Sequence, residues 1–301
     1  MAIRNLIELF DLLKEKALKT MIVVCANDEH TISAIGDAVK RNLVKAVLIG
    51  DKDIIGSVCH ETGININLFT VIHQPNDELA ARTAADMINR GEGDIVMKGL
   101  IPTDKFMRAV LNKENGITNQ GKVVSHVTLV ENEYYHKLLI VGDVAIIPLP
   151  DLNQKIQIIK YMVEVAKRLG IDLPKIAVIA VSEQVLPSIV STTDAALLSK
   201  MNDRGQIKGC IVDGPLALDV AIDSESAIIK GLISPVAGDA DCLLFPNVES
   251  GNVFYKVNTK LSRSESAAVM LGARVPVVLA SRGDSSRVKL FSIALAALMA
   301  K

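Results

Sequence analysis

The sequence predicts an α/β protein of two domains, each built on a mostly parallel sheet, with a cleft between them. Three observations predict it. Short β-branched apolar runs alternate with amphipathic segments over residues 21–97, joined by brief polar turns. Near Lys122 the texture changes, and two apolar runs then lie close enough in sequence to pair as antiparallel strands. With 301 residues, half of them apolar, the chain is long for one compact core and suits two.

Residues 1–20 carry Glu8, Asp11 and Glu15 among Leu and Phe, which reads as an amphipathic helix and not as a signal peptide. A strand over 21–26 closes in Asn27-Asp28, and 30–43 places Ile32, Ile35, Ala38 and Val39 on one helical face. Strand 45–49, helix 53–62 and strand 66–72 follow. Pro75-Asn76-Asp77 opens a helix over 77–90, and 94–97 is the fourth strand. Such alternation predicts a parallel sheet covered on both faces, with ligands bound beyond the carboxyl ends of its strands.

The predicted domains are 1–122 plus 272–301, and 123–271. In the second, 123–130 and 138–148 pair as strands, and 153–169 is a long helix stopped by Gly170. Strand 175–181, helix 194–202 and strand 210–213 lead to Gly214-Pro215. A helix over 224–230, a loop over 232–238 and a strand over 241–245 follow, then a helix over 253–271. Gly272 and Pro276 lead into a strand at 275–280 and a final helix at 288–299, which return the chain to the first domain.

Three junctions carry candidate chemistry. The fourth strand ends in Lys98-Gly99-Leu100-Ile101-Pro102-Thr103, with Lys105 and Arg108 beyond, so it brings cations and a hydroxyl to one sheet edge. Asn247, Ser250, Gly251 and Asn252 are small or amide residues between a strand and a helix, where backbone N–H groups can approach a phosphate, with Lys256 further along. Ser281, Arg282, Asp284 and Arg287 lie between the last strand and the last helix. The first and third junctions have plainer readings, a tight turn with a capping Thr103 in one, and in the other Ser285 or Ser286 merely capping the last helix while Arg282 and Arg287 are solvated.

Composition narrows the ligand. A formal charge of −1, no Trp and 3% aromatic residues argue against nucleic acid and membrane surfaces as partners. Locally, Lys256, Lys260, Arg263, Arg274, Arg282, Arg287 and Lys289 face only Glu265 and Asp284, which suits a small anion. Cys25, Cys59, Cys210 and Cys242 are scattered and read as reduced core residues of a cytoplasmic protein. The five histidines lack zinc-site spacing, so no metal is expected.

Lys98-Gly99 with Thr103 and Arg108, Asp213-Gly214-Pro215, Ser234-Pro235-Val236-Ala237-Gly238, Phe245-Pro246-Asn247, Ser250-Gly251-Asn252 with Tyr255-Lys256, and Ser281-Arg282-Gly283 occur in that order. Together they resemble the phosphotransacylases, the phosphate acetyl- and butyryltransferases. The segments 97–103 and 285–296 look more like the butyryl branch. The resemblance implies a two-domain fold like that of isocitrate and isopropylmalate dehydrogenases, and a homodimer or higher homo-oligomer. It also implies direct acyl exchange between coenzyme A and inorganic phosphate, with the CoA thioester as substrate and no cofactor. By that likeness Arg282 and Arg108 hold phosphate groups, Ser281 donates to the carbonyl oxygen, and Asn247, Ser250, Gly251 and Asn252 shape the acyl-phosphate side.

One position departs from the family pattern. The acetyl branch is thought to use an aspartate seven residues after the matching serine, and Val288 stands there in this chain. Asp284 is the nearest substitute, with a helix cap as its other reading, and Asp213 is a second candidate. A nicotinamide-dependent dehydrogenase of the same fold is disfavoured because no GxGxxG occurs and the acidic residues of the second half are dispersed. A non-catalytic acyl-CoA-binding module is disfavoured because Ser281 and Arg282 are retained.

Overall fold

The computed structural model describes residues 2–118, 121–281 and 283–301. It is an α/β protein built on mixed β-sheet, and its internal contacts divide it into two units. Ile7–Val124 and Ala267–Lys301 form one, Met1–Leu6 and Ser125–Ser266 the other.

The first unit begins with a 3-10 turn at Leu6–Glu8 and the short α1 (Leu9–Leu13). The predicted helix over 1–20 is cut short because residues 14–18 are all exposed, so no core face holds them helical. Then come β1 (Lys19–Val24), α2 (Glu29–Lys40), β2 (Val44–Gly50), α3 (Lys52–Glu61), β3 (Thr70–His73), α4 (Asp77–Asn89), β4 (Ile95–Lys98) and α5 (Thr103–Val110). Side chains at the strand ends start the helices: Asp28, Asp51 and Asn76 accept backbone N–H groups of α2, α3 and α4. Residues 66–68 form a 3-10 turn set by the Asn65 side chain, so the third strand is shorter than its apolar run.

In the second unit, β5 (Ser125–Glu131) and β6 (Leu139–Gly142) pair antiparallel, as their spacing predicts. The unit continues with α6 (Leu152–Arg168), β7 (Lys175–Ile179), α7 (Val190–Asp203), β8 (Ile211–Leu216), α8 (Leu218–Ile222), α9 (Ser224–Ile229), β9 (Cys242–Leu244) and α10 (Val248–Lys260). Its strand order is β5-β6-β9-β7-β8, with all pairs after the first parallel.

The chain returns to the first unit through β10 (Glu265–Leu271), β11 (Val277–Val278) and α11 (Ser286–Met299). The predicted helix over 253–271 is corrected here. Arg263 adopts φ 53°, which ends α10, and the apolar run after it pairs as β10. A short buried run has no periodicity to separate strand from helix. Gly272, at φ 98°, turns β10 antiparallel onto β11, and β11 joins β4 in parallel. Pro276 lacks an N–H, which shortens β11 to two residues. The order in this unit is β3-β2-β1-β4-β11-β10.

Met21, Ile22, Val23 and Val24 are fully buried, as a central parallel strand covered on both faces requires. Among the described residues no helix is long and apolar enough to cross a membrane.

Candidate active site

In the first unit, β1, β4 and β11 run parallel, so their carboxyl ends lie on one edge; Val24 pairs with Lys98 and Met97 with Val278. The chain leaves each strand toward the N-terminus of a helix: α2, α5 and α11. At this edge is a cavity of about 290 Å³ whose lining includes Asp28, His30, Gly99, Leu100, Ser281 and Lys289. Strand ends and helix N-termini offer donors to an anion.

The β4–α5 turn passes close over the end of β1. Gly99 and Leu100 donate backbone N–H bonds to the carbonyls of Val24 and Cys25, and a Cβ on Gly99 would lie 2.2 Å from the Cys25 carbonyl oxygen. Lys98 is buried, and its Nζ donates to the carbonyls of Gly99 and Ile101 at 3.1 and 3.0 Å. It therefore braces the turn from within. Thr103 is the first residue of α5 and is exposed. Arg108, in the last turn of α5, lines a separate cavity of about 340 Å³ with Arg82, Lys105 and Asp86, so the structure does not bring it to the Ser281 cavity.

Ser281 and Asp284 close a tight turn before α11. The Ser281 N–H donates to Asp284 Oδ2 at 2.8 Å, and the Asp284 N–H to the Ser281 carbonyl at 3.1 Å. Ser285, not Asp284, caps α11 by accepting from the Val288 N–H. This removes the capping role considered for Asp284 and replaces it with a hold on the Ser281 backbone. The Ser281 side chain is exposed toward the cavity it lines. Arg287 is exposed, with its guanidinium 5.3 Å from the centre of the Phe291 ring. Arg282 lies outside the described residues.

Behind Ser281 the wall is an ion pair. Lys289 Nζ, on a residue only 2% exposed, donates to Asp28 Oδ1 at 3.2 Å and to Thr31 Oγ1 at 3.0 Å. Burial pushes the Asp28 carboxyl up, but hydrogen bonds from Thr31 and the Lys289 charge outweigh it and hold the group below the usual carboxylate range. Asp28, Thr31 and His30 were not singled out by sequence reasoning, and Lys289 was marked only as one of seven local cations. Asp28 and Thr31 have cap-to-third-residue spacing, a signal for a helix start. Nothing in the sequence separates Lys289 from the solvated cations around it.

In the second unit the junction before α10 is built differently from the phosphate loop expected of it. Asn247 caps α10: its Oδ1 accepts from the Ser250 N–H at 2.9 Å and the Ser250 hydroxyl at 2.7 Å. Gly251 lets the helix approach the turn after β6, since a Cβ there would lie 2.6 Å from the Asp143 carbonyl oxygen. Asn252 Nδ2 donates to the Val144 carbonyl at 3.0 Å. Lys256 lies two turns into α10, exposed, with Nζ 4.9 Å from the centre of the Tyr255 ring. Buried Asp143, which sequence reasoning missed, accepts from Ser125 Oγ, the His126 N–H and the N–H groups of Ala145 and Ile146. The Asn247–Asn252 side chains thus knit α10 to the β6 turn, and the helix N-terminus remains as the group that can meet an anion.

Comparison with known proteins places this architecture. Residues 72–297 match the family model described as "Phosphate acetyl/butaryl transferase". The phosphate butyryltransferase of Clostridium acetobutylicum is 46% identical over 298 residues, covering 99% of each chain. The phosphate acetyltransferase of Thermotoga maritima is 41% identical over 282 residues, covering 94% of this chain and 95% of that one. Among solved structures, a branched-chain phosphotransacylase from Enterococcus faecalis V583 superposes with a TM-score of 0.81 at 26% identity, over 94% of this chain and all of the other. The chain belongs to the phosphate acetyl/butyryltransferase family and is an acyltransferase enzyme.

Proposed function

We propose that the protein catalyses butyryl-CoA + phosphate ⇌ butyryl phosphate + CoA, by direct transfer while both substrates are bound and without a metal or other cofactor. The observation that carries this reading is 46% identity along 99% of both chains to a protein named phosphate butyryltransferase. The site chemistry supports it. Phosphate must meet a thioester carbonyl in line, negative charge builds on that oxygen, and a thiolate leaves, so the site needs fixed donors and cations. Ser281, at the cavity mouth with its backbone held by Asp284, donates to the carbonyl oxygen in this reading. Arg282 takes phosphate oxygens through its planar fork. The amino end of α10, with Asn247, Ser250, Gly251 and Asn252, serves the acyl-phosphate side. The reading carries with it a homo-oligomer acting in the cytoplasm.

The test is thioester loss across acetyl-, propionyl-, butyryl- and isobutyryl-CoA, each with and without phosphate. Phosphate-dependent loss, fastest with butyryl-CoA, is expected. Loss without phosphate overturns the acyl transfer to phosphate, and fastest loss with acetyl-CoA overturns the acyl choice. A pocket separates chains differing by one methylene by only about 1–3 kcal/mol, so rates and not mere detection must be compared.

A further inference from the structure

The reaction just proposed leaves one proton without a carrier. When CoA attacks the acyl phosphate its thiol must lose a proton, and a free thiol titrates near ~8.5. The family position for an aspartate base holds Val288, whose N–H is tied to the Ser285 cap. Asp284 is engaged by the Ser281 N–H, and Asp28 by Lys289 and the Thr31 N–H.

The cavity beside Ser281 holds another candidate. His30 is the second residue of α2, exposed, and lines the same cavity as Ser281. Among the described residues, the charged groups lining that cavity with it are Asp28 and Glu29 from its own helix start and Lys289 from α11; the β4–α5 turn contributes Gly99 and Leu100. An imidazole offers an acceptor nitrogen and a donor nitrogen, which suits a group that takes a proton in one direction and returns it in the other. The Lys289–Asp28 pair fixes the first turn of α2 and so fixes the backbone that carries the imidazole.

We infer that His30 is the general base for coenzyme A in this site and the acid that returns the proton in the opposite direction. In the thioester-forming direction the S–H proton passes to an imidazole nitrogen, and the sulfur electron pair forms the C–S bond. The C–O bond to phosphate breaks, and inorganic phosphate leaves. In phosphorolysis the imidazolium gives the proton to the departing thiolate. The inference rests on the acyl-transfer reading above.

The experiment measures kcat/KM for thioester formation from butyryl phosphate and CoA between pH 6 and 9, in the parent and in His30→Ala and His30→Gln. The expected loss at neutral pH is about 10²–10⁴-fold. It narrows toward pH 9 as solution thiolate replaces the missing base, and added imidazole restores part of it in His30→Ala. An equal loss at every pH, or none, overturns the assignment of His30. If the parent itself shows no phosphate-dependent thioester chemistry, the acyl-transfer reading fails instead. His30 is exposed, so unchanged melting temperatures are expected and separate a folding defect from a lost base.

Discussion

Lys289 and Asp28 are 261 residues apart in sequence, yet Lys289 Nζ lies 3.2 Å from Asp28 Oδ1 and fastens the start of α11 to the start of α2. Asp28 also caps α2 through the Thr31 N–H. One carboxylate thus serves both a helix terminus and a buried cation. Asp28→Asn keeps a capping oxygen but leaves Lys289 charged and buried, at an expected cost of about 2–4 kcal/mol. Lys289→Met removes the cation and leaves a carboxylate with some access to water, so it should cost less. Urea unfolding of both variants and of the double variant checks the order; equal losses contradict it.

Ser281→Ala tests the donor role. Among the described residues the hydroxyl makes a single long contact, 3.4 Å from the Gly283 N–H, so the melting temperature should hold. Loss of a donor to the developing oxyanion is expected to lower kcat about 10²–10³-fold. A fall in affinity alone, with kcat intact, places the hydroxyl elsewhere.

Two glycines give opposite expectations. Gly99→Ala drives a Cβ against the Val24 and Cys25 carbonyls, which are backbone and cannot swing aside, so a loss of about 1–3 kcal/mol or more is expected. At Gly56, inside α3, a Cβ would meet nothing within 4 Å, and Gly56→Ala should gain up to about 1 kcal/mol from helix propensity. Thermal melts of the two variants read both signs.

The cysteines should be unreactive in the folded protein. Burial, aided by the Asp77 carboxylate, pushes the Cys25 thiol up to about 12, and burial pushes Cys210 to about 11. Folding therefore holds these thiols protonated. Their stabilising contribution is fully present below the ordinary thiol range and is lost as pH rises toward 11 and 12. A chromogenic disulfide at about pH 8 should label them only on the timescale of unfolding; rapid labelling of either contradicts this.

Asp239 predicts the acid limb. Burial raises its carboxyl, but bonds from Lys137, Lys175 and His136 outweigh that and hold it well below the carboxylate range. A depressed carboxyl stabilises the fold above about pH 4 and loses that contribution as pH falls further. Asp239→Asn should flatten the fall in stability below that pH; an unchanged acid limb rules out the cluster as its source.

The strands β1, β2 and β4 and the helices between them were legible because β-branched runs, caps and helical spacing agree there. Residues 265–271 were not legible, since a buried apolar run has no polar face to show its period, and it is strand pairing, with β11 among its partners, that makes it a strand. At the site, Ser281 could be named from its motif. Lys289 could not, because its burial depends on Asp28, which arrives from the far end of the chain. Asn247 and Gly251 were marked as substrate-binding residues, and the structure shows an intramolecular constraint at each: a cap and a close helix approach.

The two residues of β11 also set a time order. Until Val277 and Val278 settle beside β4, that strand presents an open hydrogen-bonding edge, and neither Ser281 nor Lys289 has a place. During synthesis Asp28 is made 261 residues before Lys289, so the first strands and helices of this unit form before the cation that completes the site exists. A nascent chain stopped before β11 should expose β4 as an aggregation-prone edge.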